Sequence, residues 1–290
     1  MNLGQLISLA RTRARDKVAP YLWSDDEFTE FANSAVSEAC IRARLLQTQI
    51  NIAVSVGVEN VTVPYTMVKP ISVLFIDQLG GTVSAGNFIV GRWYTILTAG
   101  TTDFTTIGAA NSTTGTVFRA AGVGSGTGTA VLGRESWLTP ASQREILEAN
   151  AFSVTPGRPT HFARGLAANT IRFHPIPSLA GTIVATIART PTTAEELVVA
   201  TLTGIPVIPV EFHRDLVYWM LAEAYLVRDA DQGDASRQKT NEDKFEERFG
   251  KKITARAEMQ GRKNVVGTDM RAQPFGGGAG FSSDYFNSDR

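Results

Sequence analysis

One cysteine, Cys40, and three histidines, His161, His174 and His213, are all that 290 residues offer as soft metal ligands. A single cysteine excludes an intrachain disulfide framework and a cysteine-based zinc site. No two histidines stand four residues apart, so no helical two-histidine metal motif forms. No apolar run approaches the ~18 residues that a membrane span needs. The start, Met1-Asn2-Leu3-Gly4-Gln5, lacks the charged-then-apolar order of a secretion leader, which makes the cytoplasm the expected place of assembly. Net charge is also lacking: 28 basic residues balance 28 acidic ones, so the molecule as a whole is not built for nonspecific binding to nucleic acid. Catalytic signatures are missing too. The run Gly122-Val123-Gly124-Ser125-Gly126-Thr127-Gly128 has Thr where a dinucleotide loop needs its last glycine, and it does not lead into a helix. The run from Asp229 to Asp234 resembles a calcium loop, but glycine is fifth and Thr240 is twelfth, so the ligand spacing fails. No catalytic, metal-binding or cofactor-binding residue is assigned, and a non-enzyme is expected.

What is present begins with helices. Ser24, followed three residues later by Glu27, is a capping box, and Asp25 and Asp26 complement the helix dipole. Phe28, Phe31, Ala32, Ala35, Ala39, Ala43 and Leu46 then recur at helical spacing, which predicts a long helix over 24–49. A shorter helix is predicted from Leu3 to Val18, with Leu6, Ile7, Leu9, Ala10 and Ala14 apolar and Arg11, Arg13 and Arg15 basic. Near the other end, a second helix over 210–227 carries Phe212, Leu216, Trp219, Met220, Glu223 and Val227 within reach of one face. A charged helix follows over 236–259, with Phe245, Phe249 and Ile253 on one stripe and Gly250 as a possible break.

Between these ends the period changes to two. Ile50, Ile52, Val54, Val56 and Val58 alternate with small or polar residues, and 71–79 reads as another strand. From about Ala85 to Gly133 the composition turns to Gly, Thr, Ala and Val. Between Trp93 and Gly133 the only charges are Asp103 and Arg119. Phe88, Trp93, Tyr94, Phe104, Ile107, Val117 and Phe118 suffice for a small core, so an inserted β-module that tolerates excision is expected rather than a linker. Thr139-Pro140 suggests a helix start over 139–150. Residues 171–174 and 182–189 read as a hairpin or as adjacent strands, joined through Pro175-Ile176-Pro177. After Gly261 periodicity is lost, and glycines at 276–278 and 280 oppose regular structure. Phe275, Phe281, Tyr285 and Phe286 punctuate this stretch, which reads as an arm that orders on a partner.

The expected class is therefore α+β. A helical bundle from 1–50 and 206–260 encloses a β-domain from 51–84 and 134–205, which carries the inserted module at 85–133 and leads to an extended C-terminal arm at 261–290.

The order Ala19-Pro20-Tyr21-Leu22-Trp23-Ser24-Asp25-Asp26-Glu27, then Glu38-Ala39-Cys40-Ile41-Arg42-Ala43-Arg44-Leu45-Leu46, resembles the tailed-bacteriophage head-to-tail adaptor, or connector, proteins. So do Gly157-Arg158-Pro159-Thr160-His161-Phe162, Ile171-Arg172-Phe173-His174-Pro175-Ile176-Pro177, and Ile208-Pro209-Val210-Glu211-Phe212-His213 with Trp219 and Ala224-Tyr225. The insert, through Val90-Gly91-Arg92-Trp93-Tyr94-Thr95-Ile96 and Gly100 to Ala109, is similar to a small β-module embedded in many phage structural proteins. The resemblance implies a non-enzymatic virion protein at the head-tail junction. It implies a ring of twelve copies beneath the portal protein, extending the DNA channel used in genome ejection. The implied partners are portal, tail nozzle or tail tube proteins, tail fibres, other copies of the chain, and genomic DNA that passes without sequence-specific binding. No membrane and no cofactor are implied. Phe275, Phe281, Tyr285 and Phe286 are then expected to dock on portal. Arg11, Arg13 and Arg15 are expected either to line the channel or, the favoured reading, to pair with acidic helices of neighbouring subunits. The alternative is a tail or fibre-attachment protein whose insert binds protein or carbohydrate, with Trp93 and Tyr94 stacking on sugars.

Overall fold

The computed structural model describes residues 1–152, 155–164, 169–226 and 234–252. The chain divides into a unit spanning Met1–Ile253 and a second, Thr254–Arg290, which lies outside the described residues. The expectations for Phe275, Phe281, Tyr285 and Phe286, for Val227, for 229–233 and for Ile253 therefore fall outside the described residues.

Helix α1 (Leu3–Ala14) is capped by Asn2, whose side chain accepts from the Gln5 amide at 2.9 Å. Its last residue is Ala14, four residues before the expected Val18, and Arg15 caps it in the left-handed region, φ 64°. Asp16 explains the early stop. Its carboxylate accepts from the Arg11 guanidinium and from the Leu22 amide, and so holds the chain as it turns back.

Helix α2 (Asp25–Ala43) starts as expected. The Ser24 hydroxyl accepts from the Glu27 amide at 3.2 Å, and the Glu27 carboxylate accepts from the Ser24 amide at 2.6 Å. It ends at Ala43, with Arg44 at φ 53°, not at Gln49. Leu46 to Gln49 belong instead to strand β1 (Leu46–Val54). Extending the two-residue alternation back through Thr48 and Leu46 pairs nine residues with a later strand, and that pairing overrides the helical spacing.

The strands that follow are β2 (Asn60–Thr62), β3 (Met67–Asp77), β4 (Thr82–Ser84), β5 (Trp93–Thr98), β6 (Val117–Arg119), β7 (Thr129–Leu132), β8 (Arg134–Trp137) and β9 (Thr139–Pro140). Helix α3 (Gln143–Phe152), β10 (His161–Arg164), β11 (Thr170–His174) and β12 (Gly181–Arg189) complete the middle of the chain. The cap of α3 is Ser142, whose hydroxyl accepts from the Glu145 amide, and not Thr139. Thr139-Pro140 forms an edge strand parallel to β10, where the missing proline N–H faces away from the ladder. The expected neighbours at 171–174 and 182–189 lie in different sheets. β11 pairs with β10 and β2, while β12 pairs with β1 and β3. The Pro175–Pro177 stretch carries the chain from one sheet to the other, so it is a crossover and not a hairpin turn.

The described residues thus form an α+β fold with three four-stranded sheets. The first, β1-β12-β3-β8, packs one face against the second, β2-β11-β10-β9. Val73, Phe75, Ile183, Ala185 and Ile187 meet Val61, Phe162, Ile171 and Phe173 there. The third sheet, β4-β7-β5-β6, closes over its own core of Phe88, Tyr94, Phe104, Ile107 and Phe118. This sheet begins at Thr82, three residues ahead of the composition boundary at 85. It does not hang free. Val117 and Trp93 pack on Leu74, Ile76 and Val184, which point from the other face of the first sheet. The seam is tight: a Cβ on Gly133 would stand 2.3 Å from Ile76 Cγ2. Strands β3 and β12 are consequently covered on both faces, which is why Val73-Leu74-Phe75-Ile76 is continuously apolar.

The helices share a separate core. Leu6 and Ala10 of α1 and Phe28, Ala32, Ala35 and Ala39 of α2 meet helix α4 (Leu216–Leu226) through Leu216, Met220 and Ala224, and helix α5 (Ala235–Phe249) through Phe245 and Phe249. The expected helix over 210–227 opens as a 3-10 turn, Val210–Asp215, before α4 begins. α5 ends at Phe249 with Gly250, φ 90°, as its cap, and the remainder of the expected helix, 253–259, lies outside the described residues.

Candidate functional site

Three clusters of charged side chains join elements distant in sequence, and each sits where one part of the fold meets another. The first holds the helices together. Arg42, in the last turn of α2, keeps only 1% of its side chain exposed. Its Nε donates to Glu38 Oε1 at 2.9 Å, its Nη1 donates to the Gly250 carbonyl at 3.3 Å, and Glu246 lies 3.6 Å away. Its guanidinium stands 4.8 Å from the Trp219 ring centroid and 5.3 Å from that of Phe245. One planar cation thus ties α2 to α4 and α5. Beside it, the Trp219 indole N–H donates to Glu223 at 2.8 Å, and Ser34 of α2 donates to the same carboxylate. Burial raises the Glu223 carboxyl above its ordinary value.

The second cluster marks the root of the insert. Asp77 ends β3 and stands opposite Arg134, the first residue of β8, so the two chain passes of the insert meet at this pair. Arg134 donates twice to Asp77 Oδ2, at 3.0 and 2.8 Å, while Arg158 Nε lies 3.3 Å from the same oxygen. The Asp77 side chain is 1% exposed. Burial, and then repulsion from Arg134, lower the Arg158 pKa against the opposing pull of Asp77.

The third cluster ties the exit of β12 to the helices. Arg189 grips Glu195 bidentately, at 2.5 and 2.8 Å, and Glu195 also accepts from the Thr192 amide. Leu197 next exchanges two hydrogen bonds with the Asn33 side chain of α2, at 2.8 and 2.9 Å. The Arg189 hydrogen bond, followed by that from Thr192, lowers the Glu195 pKa from 4.5 to about 2. A depressed folded-state pKa contributes stability that is fully present above about 4.5 and lost as pH falls towards about 2. Glu195→Gln is therefore expected to destabilise at neutral pH and to converge with the unaltered protein near pH 2. Urea midpoints across that range check this.

The residues singled out for contact distribute unevenly. Arg11 is buried and engaged within its own chain, 2.8 Å from Asp16 and 2.7 Å from Asp25, with its guanidinium 3.9 Å from the Tyr21 ring centroid. Arg13 is half-buried and lies over Tyr218 of α4, at 4.6 Å. Arg15 is exposed. Of the three, the helix α1 geometry leaves Arg15 alone pointed at solvent, because the others lie on the side that meets α2 and α4.

The sugar-stacking aromatics are not displayed. Tyr94 is 1% exposed inside the core of the insert, with its hydroxyl accepting from the Ile89 amide at 2.9 Å, and Trp93 is half-buried at the seam. β5 is covered on both faces from Trp93 to Ile96, with Tyr94 and Ile96 turned to the insert's core and Trp93 to the seam. Cys40 is fully buried, and burial pushes its thiol up to about 12, far from the thiolate that reactivity needs. His213 is buried, with Nε2 2.8 Å from the Ile208 carbonyl oxygen and Nδ1 2.9 Å from the N-terminal nitrogen, a structural tie between the 3-10 turn ahead of α4 and the chain start. His161 and His174 face each other across β10 and β11, and burial, followed by His161, lowers the His174 pKa. Among the described residues no group of three or more His, Cys, Asp or Glu could hold a metal ion, and no helix is long and apolar enough to cross a membrane.

A family model described as SU10 adaptor protein matches residues 1–101 and 90–267. Both stretches run into the insert, and they overlap at 90–101. No curated protein matches the chain.

Proposed function

Because the chain belongs to the SU10 adaptor protein family, a family of structural phage proteins, we propose that it forms a ring beneath the portal, extends the DNA channel and receives the tail. The observation that carries this reading is the extent of the match, which runs from the first residue to 267 and takes in the helical core and both packed sheets. The build of the described residues supports it. Charged clusters and aromatics are spent on joining helices to sheets and sheets to the insert, as a load-transmitting part requires. DNA is to slide through the ring, so its wall needs few tight phosphate contacts, since contacts repeated on every copy would add up. Arg15 is the residue of the three that remains available for that wall or for a neighbouring copy.

Attachment to portal is assigned to the C-terminal arm. Its glycines at 276–278 and 280 cannot bury a core of their own, and Phe275, Phe281, Tyr285 and Phe286 supply anchors. Each aromatic buried on a partner contributes roughly 1.5–3 kcal/mol, which the ordering of the glycines opposes, so several anchors per arm are needed. A ring multiplies the effect, because one docked arm raises the effective concentration of the next. Truncation after Gly261 is expected to leave the thermal melt of the rest unchanged and to abolish co-sedimentation with portal. Unchanged affinity of the truncated chain would move the anchor to the helical core.

A further inference from the structure

Strand β1 is an open edge of unusual character. Along one side it pairs with β12 in unbroken register, from Leu46 opposite Arg189 to Val54 opposite Gly181. Among the described residues no backbone group bonds to its other side. Folded proteins usually guard such edges with lysine, proline, a bulge or shortness. β1 has none of these: it is nine residues of Leu-Gln-Thr-Gln-Ile-Asn-Ile-Ala-Val, without a bulge and without a charge. The opposite edge of the same sheet, β8, is short, and its Ser136 donates to the Pro159 carbonyl.

The two faces of β1 differ in chemistry. Gln47, Gln49, Asn51 and Ala53 are exposed on one. Ile50 and Ile52 are half-buried on the other, at the rim of the core between the first two sheets, which is left unfinished there. An incoming strand must bring aliphatic groups to one face and uncharged polar groups to the other. β1 itself meets that description when reversed about Ile50. Ile50 then opposes Ile50 of a second copy, Gln49 opposes Asn51, Thr48 opposes Ile52 and Gln47 opposes Ala53. At the centre Ile50 meets Ile50, flanked by the amide pairs Gln49 and Asn51, further out Thr48 and Gln47 meet Ile52 and Ala53, and no charges oppose. A charged strand from an unrelated partner would find no complement.

We propose that free copies of this chain associate in pairs through antiparallel β1–β1 contact about a two-fold axis at Ile50, making one eight-stranded sheet. A two-fold contact is self-complementary and closes with two copies, so it is distinct from the head-to-tail contacts of a ring, and it does not depend on the adaptor reading.

The test is the mass of the full chain by sedimentation equilibrium, without portal. The unaltered chain is expected as a dimer. The variant carrying Gln49→Lys and Asn51→Lys changes only exposed side chains and places like charges across the axis. It is expected to dissociate with an affinity lower by on the order of tenfold or more, with an unchanged thermal melt. In a separate variant, Ile50→Cys is expected to give an oxidised dimer, since only two-fold pairing brings the residue opposite its own copy, and Cys40 is buried out of reach. A monomeric unaltered chain overturns the proposal. So does a dimer that the lysines leave intact, or one that Ile50→Cys fails to trap, because either would place the contact on another surface.

Discussion

A chain in which residues 78–133 are replaced by Asn-Gly is expected to lose most of its soluble yield, and to regain it when Leu74, Ile76 and Val184 are also changed to Thr. The graft itself is geometrically mild. Asp77 and Arg134 stand directly opposite in β3 and β8, so a two-residue turn closes the same pair into a hairpin. The difficulty lies beneath the insert. Leu74, Ile76 and Val184 are buried only because Val117 and Trp93 cover them. Uncovering three aliphatic side chains forfeits on the order of 5 kcal/mol, comparable with the whole stability of a domain. It also leaves an apolar patch on a sheet face, which invites aggregation. Composition alone suggests that the module can be excised freely, and the packing of Val117 and Trp93 argues against that. Soluble yield and thermal melts of the two chains decide between the readings. Full solubility of the simple replacement would show that the seam contributes little.

Arg42→Ala is expected to destabilise the chain by about 3–5 kcal/mol, among the largest effects of any single change outside the apolar core. Removing one partner of a buried pair leaves the other charge uncompensated. Here that partner is Glu38, 10% exposed at its side chain, which among the described residues would keep only the ion pair with Lys252 at 3.5 Å. The change also removes the planar group that fills the space beside Trp219 and Phe245. Lysine is not expected to rescue, since a point charge cannot stack on two rings while donating to Glu38. Arg42→Met combined with Glu38→Gln is expected to recover part of the loss, because it retains volume and removes both charges. Urea unfolding of the three variants measures this. A loss below about 1 kcal/mol for Arg42→Ala would reduce the cluster to an ordinary surface ion pair.

Much of the chain was legible where one periodicity acted alone. The Ser24–Glu27 box, the small-residue stripe Ala32-Ala35-Ala39 and, in the insert, Phe88, Tyr94, Phe104, Ile107 and Phe118 lie as expected, whereas Trp93 and Val117, expected in that same core, face the seam instead. Legibility failed where two patterns overlapped. Leu46 satisfies both the helical stripe of α2 and the alternation of β1, and only the partner β12, some 140 residues away, decides for the strand. Thr139-Pro140 looks like a helix start in isolation, and its role as an edge strand depends on β10. The crossover after Pro175 is decided by which sheet each strand joins, which local turn chemistry does not encode.

The charged clusters were harder still. Arg11 belongs to a visible basic stripe, yet its partner Asp16 lies beyond the helix end, and the reversal that brings them together is tertiary. Asp77, Arg134 and Arg158 come from three separate segments with no motif among them. One signal did exist for the seam. The run Val73-Leu74-Phe75-Ile76 is apolar at consecutive positions, which a strand wet on one face does not need, and it marks a sheet covered on both sides.

The central claim, a ring seated on portal, is tested most directly by mixing the full-length chain with purified portal rings and imaging the complexes by electron microscopy. The expected result is a closed ring of adaptor copies, one per portal subunit and coaxial with the channel, absent from samples of the chain truncated after Gly261. Portal rings that remain bare at saturating concentrations of the intact chain, or that bind scattered copies away from the channel axis, would contradict it.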